Sequence, residues 1–205
     1  MYRAKILGAV LVLVMTPFLI IGCKKNVRVE VKKNEIKELL CAVRSYECDV
    51  KVIFCIDNQK NEIHMKQNCD LEGNHTLTIE SPEYLKGYKT IFNKKGVKEY
   101  NPITGKTVPL KITAAKNQIL FGTFVSNYLS SENSIAYVEK IHGVPTTVIE
   151  TTIPGNYKYM ATQKVWFDEK KRAPIKMQIY DKEGNVTIEV NFSNFNYNTE
   201  MKWDM

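Results

Sequence analysis

The side chains in this sequence best equipped for chemistry are five cysteines, three histidines and two close pairs of carboxylates. A cysteine acting as nucleophile wants a histidine beside it and an electropositive pocket. Cys41, Cys48, Cys55 and Cys69 contain no C-x-x-C spacing, so neither zinc binding nor dithiol exchange has its usual arrangement. His64, His75 and His142 include no pair at metal-ligand spacing such as H-x-x-x-H. Glu80 and Glu83 flank Ser81-Pro82, and Asp168 adjoins Glu169. General acid–base work needs one buried carboxyl with a raised pKa, whereas both pairs lie beside Pro, Lys or Arg, as exposed turns do. G-x-S-x-G, P-loop and dinucleotide fingerprints are absent from the sequence. The expectation is a protein with no catalytic residues, no cofactor and no metal.

Cys23 stands apart from the other four. Arg3 and Lys5 form a basic start, an apolar run follows from Ile6 to Ile21, and Gly22-Cys23 gives way abruptly to Lys24-Lys25-Asn26. A basic start, an apolar stretch and a small residue at the cut make a secretory leader. The alternative is a permanent membrane helix, but the run falls short of the roughly 20 residues a span uses. Ile20-Ile21-Gly22-Cys23 resembles the lipobox of bacterial lipoproteins. That resemblance implies a thiol alkylated with diacylglycerol and a chain cut before Cys23, held on the bilayer by its acyl chains. Residues 1–22 are therefore read as signal peptide, 23–34 as lipid-anchored tether, and 35–205 as the folded domain. The expected location is the extracytoplasmic face of the cell membrane.

Without residues 1–22 the chain has 27 Lys and Arg against 22 Asp and Glu, and its net charge falls from +7 to +5. The excess is spread along the chain, with Lys24-Lys25, Lys32-Lys33, Lys94-Lys95 and Lys170-Lys171-Arg172 as its densest points. Such spacing suits anionic lipid or wall polymer, or simply solvated loop tips, and excludes a concentrated nucleic-acid footprint. Outside the cytoplasm the four remaining cysteines could be bridged in three ways, or stay as free buried thiols.

Asn34 is positioned to cap a helix whose apolar stripe is Ile36, Leu39, Leu40 and Val43. From Cys48 the period becomes two: Val50, Val52, Phe54 and Ile56 share one face, and Asp49 and Lys51 the other. A hairpin centred near Gln59–Lys60 would set Cys69 opposite Val50, one diagonal step from Cys48, which makes Cys48–Cys69 the candidate bridge. Alternation recurs at His75–Ile79, Tyr88–Phe92, Val97–Glu99, Ile135–Val138, Val148–Ile149, Tyr157–Phe167, Ile175–Ile179 and Val186–Phe192, with Gly-, Pro- and Asn-bearing turns between. Leu120, Phe121, Phe124, Val125 and Tyr128 instead predict a second helix, roughly Asn117 to Leu129. The pattern is α+β: a meandering antiparallel sheet whose apolar face must be covered by the helices.

Three stretches carry a family resemblance. They are Ser45-Tyr46-Glu47-Cys48-Asp49-Val50; Ser81-Pro82-Glu83-Tyr84-Leu85-Lys86-Gly87 with Tyr100-Asn101-Pro102; and Val165-Trp166-Phe167-Asp168-Glu169-Lys170 through Ala173-Pro174-Ile175-Lys176 and Tyr180–Asn185 to Val190-Asn191-Phe192-Ser193. Together they resemble the LolA/LolB-like superfamily of lipoprotein carriers and their Gram-positive relatives. The resemblance implies a curved, incomplete β-barrel with two or more helices covering its concave face. Within that superfamily the leader, the size and the Lys- and Asn-rich character are most similar to the GerS-type spore germination lipoproteins. This implies a non-enzymatic partner of an N-acetylmuramoyl-L-alanine amidase that trims cortex peptidoglycan for muramic-δ-lactam formation, in the forespore or spore envelope.

Two other readings stay open. Carriage of acyl chains would need a dry cavity lined by residues such as Val52, Phe54, Leu77, Ile79, Leu120 and Phe124; a sensor that binds a regulator is the weaker of the two. A docking protein would use exposed aromatics, for which Tyr84, Tyr88, Tyr100, Tyr157, Tyr159 and Trp166 are candidates. Unprotected sheet edges also leave a homodimer open.

Overall fold

The computed structural model describes residues 29–30, 32–56, 59–70, 72–110 and 117–200. Cys23 and the leader lie outside the described residues. Helical residues 29–30 and 32–42 (α1) lead into β1 (Ser45–Ile56) and β2 (Gln59–Asp70), and then β3 (His75–Ser81), β4 (Lys89–Asn93), β5 (Gly96–Asn101) and β6 (Lys106–Pro109). A second helix, α2 (Phe121–Ser130), precedes β7 (Ile135–Ile141), β8 (Val144–Thr152), β9 (Thr162–Asp168), β10 (Pro174–Tyr180) and β11 (Val186–Tyr197).

The strands form one sheet in the order β6-β5-β4-β3-β2-β1-β11-β10-β9-β8-β7. It consists of two meanders, β1 to β6 and β7 to β11, sewn together by antiparallel pairing of β1 with β11. The three longest strands, β1, β2 and β11, occupy the middle, and β6 and β7 are the two edges. The sheet is an antiparallel meander with helices on its apolar face, as the alternation predicts, and it is curved and unclosed, an incomplete barrel, as the family resemblance implies.

Alternation sorts the two faces. Tyr46, Cys48, Val50 and Val52 of β1 join Met65 and Cys69 of β2, Leu77 of β3, Val165 and Phe167 of β9, Met177 and Ile179 of β10 and Ile188, Val190 and Phe192 of β11 in a single concave core. The helices supply its other wall, with Ile36 and Leu40 from α1 and Phe121, Phe124, Val125 and Tyr128 from α2. Phe121 sits at the centre: rings of Tyr46, Phe195, Phe124, Phe192 and Phe167 lie 5.1–6.1 Å from its centroid. Burying one such ring contributes about 1.5–3 kcal/mol.

Four expectations change in detail. Residues 29–30 and 32–33 are already helical, so Asn34 lies inside the first helix and does not cap it; the Lys32–Glu35 ion pair, 3.5 Å, supports that earlier turn. The β1–β2 hairpin is tighter than the sequence suggests, with Ile56 paired to Gln59 and Cys69 opposite Tyr46, where Val50 was expected. The centre moves by a whole pleat, so every side chain keeps its expected face. β9 starts only at Thr162, because Pro154-Gly155 diverts the chain into a loop that ends at Ala161. Finally, β6 is a strand the alternation did not reveal: its four residues are all exposed, so no apolar period marks it.

Candidate functional site

The histidines occupy separate parts of the sheet. His64 Nε2 lies 2.7 Å from Glu62 Oε1 on the exposed face. His64 and then Lys51, 3.4 Å away, hold the Glu62 carboxyl below its usual range. His75 is enclosed against the ring of Phe92, and burial lowers its pKa, a shift only partly opposed by Asp70. His142 occupies the β7–β8 turn with φ of 48°. Among the described residues no three His, Cys, Asp or Glu side chains converge as metal ligands would. Glu83 is exposed and paired with Lys86 at 3.3 Å, while Asp168 accepts the backbone N–H groups of Lys170 and Lys171. Asp168 therefore shapes a turn.

Cys41, Cys48, Cys55 and Cys69 are free thiols. Cys48 faces Gln67 and Cys69 faces Tyr46, which makes the two cysteines diagonal neighbours on the concave face. Diagonal neighbours lie roughly 7–8 Å apart, their Cβ atoms somewhat closer, still beyond the roughly 4 Å between the Cβ atoms of a disulfide. Burial pushes both thiols up, Cys69 to about 12, so neither is a thiolate at neutral pH.

Beside them lies a polar clasp whose one local trace in the sequence is Gln67 in an otherwise apolar alternation. Leu120 holds the N-cap position of α2, and its side chain cannot cap the helix. The Tyr46 hydroxyl instead accepts the Gly122 N–H at 3.0 Å, doing from the sheet what a capping side chain does locally. The same hydroxyl donates to Gln67 Oε1 at 3.3 Å, and Gln67 Nε2 donates to the Ile119 carbonyl at 3.0 Å. Both side chains are buried, and burial raises the Tyr46 pKa well above its ordinary value, so the phenol stays protonated and able to donate. The clasp seats α2 on the concave face.

The residues proposed as cavity lining belong to this packed interior. Val52, Leu77, Leu120 and Phe124 are buried in the core, with Phe54 and Ile79 partly buried against it. The candidate docking aromatics divide. Tyr84, Tyr157 and Tyr159 are exposed, and Tyr88 and Tyr100 are half-buried. Trp166 is buried, on the convex face: its indole N–H donates to Glu139, it faces Val148 across the β8–β9 pairing, and Lys176 Nζ lies 5.4 Å from its ring centroid. Around it run cross-strand pairs, Lys164–Glu150 and Lys176–Glu189, each 3.1 Å and about three-quarters shielded. Burial alone would raise the Glu189 pKa; hydrogen bonds from Asn191, Gln178 and Lys176 outweigh it and hold the carboxyl low.

An open, curved antiparallel sheet whose hollow is filled by helices defines a half-barrel. The chain belongs to the YdcC-like sporulation protein family, whose model matches residues 3–205. Among solved structures it is similar to GerS in the structure of the CwlD amidase from Clostridioides difficile in complex with the GerS lipoprotein, at 25% identity and TM-score 0.52, covering 82% of this chain and 95% of that one. A DUF1329 family protein from Desulfovibrio piger shares the fold at 11% identity and TM-score 0.50, over 85% and 95% of the two chains. The LolA superfamily protein NE2245 from Nitrosomonas europaea aligns at 11% identity and TM-score 0.42, over 84% and 94%. No curated protein matches the chain.

Proposed function

We propose that this chain is a lipid-anchored lipoprotein without catalysis of its own, which binds a cortex peptidoglycan amidase in the spore envelope and activates it. Muramic-δ-lactam formation, and with it cortex degradation at germination, would then depend on the pair. The observation that carries the reading is the likeness, over most of both chains, to a lipoprotein seen in complex with an amidase. Membership of a sporulation family agrees with it. Cys23 supplies the attachment and the sheet supplies the scaffold: among the described residues β6 and β7 each have a strand partner on one side only, which is how a sheet receives an added strand or loop.

The alternative, a holder of acyl chains, would need α2 lifted from the concave face, because the side chains that would line a pocket are packed against Phe121 and Phe124. The test is amidase activity on cortex peptidoglycan with and without residues 24–205, together with copurification of the two proteins. Higher activity and a retained complex are expected. An amidase equally active alone would overturn the reading.

A further inference from the structure

The strand pairing fixes which turns share a rim of the half-barrel. Ile135 pairs with Glu150, Thr152 with Thr162 and Thr162 with Tyr180, so the start of β7, the 153–161 loop and the 181–185 turn lie at one end. Ile188 pairs with Phe54, His64 with Ser81, and Lys89 with both Thr78 and Tyr100. The 81–88 loop and the 102–105 turn therefore lie at that end as well. This rim carries five of the eight large apolar side chains most exposed among the described residues: Tyr84 (77%), Ile103 (80%), Ile135 (59%), Tyr157 (41%) and Tyr159 (60%). The opposite rim carries one, Val144 (42%).

These side chains are held in place. Gly87 adopts φ of +83°, and a Cβ there would lie 3.3 Å from Pro102, so the 81–88 loop, which carries Tyr84, packs against the turn that carries Ile103. Buried Ile153 and Met160 pin both ends of the 153–161 loop, and Thr187 Oγ1 donates to the Tyr159 carbonyl at 2.7 Å. Lys158 Nζ lies 5.0 Å from the Tyr159 ring centroid.

The N-terminal helix leads to the same rim. Lys33 Nζ donates to the Ser134 carbonyl at 3.2 Å, which brings the start of α1 to the start of β7. From Cys23 to Val29 is six residues, about 20 Å when fully extended. That stretch and the first turns of α1 hold Lys24, Lys25, Arg28, Lys32 and Lys33 against Glu30, a basic excess suited to anionic lipid. Tyrosine, with an apolar ring and a polar tip, favours the headgroup level of a bilayer, and lysine stems extend over apolar surface with the charge in water.

We infer that this rim is a membrane-contact surface: Tyr84, Ile103, Ile135, Tyr157 and Tyr159 rest at the headgroup level of the bilayer that holds the acylated Cys23. The inference rests on the lipid-anchor part of the proposed function, and the test separates the two. The acylated, processed chain is reconstituted in phosphatidylglycerol–phosphatidylethanolamine vesicles with and without brominated acyl chains. Tyr84→Trp, Tyr159→Trp and Val144→Trp are compared with the unsubstituted chain, whose Trp166 and Trp203 set the background. The emission added at positions 84 and 159 is expected to be quenched by the brominated lipid, and that added at 144 to persist. Quenching at 144, or none at 84 and 159 in a chain that floats with the vesicles, overturns the rim assignment and leaves the anchor standing. A chain that does not float removes both. Emission at 84 and 159 that ignores the lipid but shifts on adding the amidase assigns the rim to the protein partner and overturns the inference.

Discussion

Tyr46→Phe isolates one oxygen atom at the centre of the fold. The ring contacts survive, edge-on to Phe121 at 5.4 Å and stacked on Phe195 at 5.3 Å, so the change reads the hydroxyl alone. Two hydrogen bonds vanish, the one accepted from the Gly122 N–H and the one donated to Gln67 Oε1, and both groups left behind are buried. A lost hydrogen bond costs about 1 kcal/mol net, and a stranded buried group about 1–3 kcal/mol, so a loss of roughly 2–4 kcal/mol is expected. Gln67→Leu removes the same shared bond together with the one to the Ile119 carbonyl and is expected to cost a similar amount. Because the shared bond can be lost only once, the double variant should fall short of the summed single losses by about 1 kcal/mol or more. Urea unfolding of residues 24–205 gives each value, with an unchanged m-value showing that the unfolded state is the same. For a chain of this size the single variants should melt lower by roughly 5–15 °C. A Tyr46→Phe loss below about 0.5 kcal/mol, or strict additivity in the cycle, would refute the clasp as the device that seats α2.

Gly155→Ala should destabilise the β8–β9 loop, since φ is +108° and the added Cβ would lie 2.6 Å from the Tyr157 ring; displacement of Tyr157 would show as a changed near-UV spectrum. His75 is held neutral by burial, so its folded pKa is below its unfolded one and the unfolded state binds more protons as the medium is acidified. Stability should therefore fall as pH drops below about 6.5 and level off below the folded pKa, and His75→Leu should remove that part of the acid loss in urea midpoints measured across the range. In the native state iodoacetamide should modify exposed Cys41 first, while Cys48 and Cys69 react only after unfolding, as peptide mass spectra would record.

Much of the sheet is legible in the sequence, because a strand with one face on a core has to alternate. Val50, Val52 and Phe54 announce β1 in this way, and the Leu120–Tyr128 spacing announces α2 to within a few residues. Where the rule's premise fails, so does the reading. β6 buries neither face and shows no period, and Tyr157–Ala161 alternate without being a strand because Gly155 has already turned the chain. Trp166 looks like a surface anchor until the convex face is seen to carry its own layer, with Glu139 from β7 and Lys176 from β10 closing over it. The clasp is illegible for a different reason. Tyr46 and Gly122 are separated by 76 residues, and a buried tyrosine on a strand looks the same with or without a helix to cap. A Gln in an otherwise apolar alternation, Met65-Lys66-Gln67, is the one local hint that a backbone group from elsewhere needs a partner there.

The membrane-contact inference and the proposed docking role constrain each other. If the rim of Tyr84, Ile103 and Tyr159 lies on the bilayer, the strands end at the membrane and run up from it, because the loops of that rim join strand ends. The free edges of β6 and β7 then face sideways, reachable by a partner in the space above the lipid, while the opposite rim, with its Lys94-Lys95 and Lys170-Lys171-Arg172 turns, points towards the wall. A partner that pairs with β7 would also lie beside the start of α1, where Lys33 holds Ser134. Shortening the Cys23–Arg28 tether should then leave amidase binding by the free mature domain intact and weaken it only for the acylated chain on vesicles, where the rim can no longer settle flat.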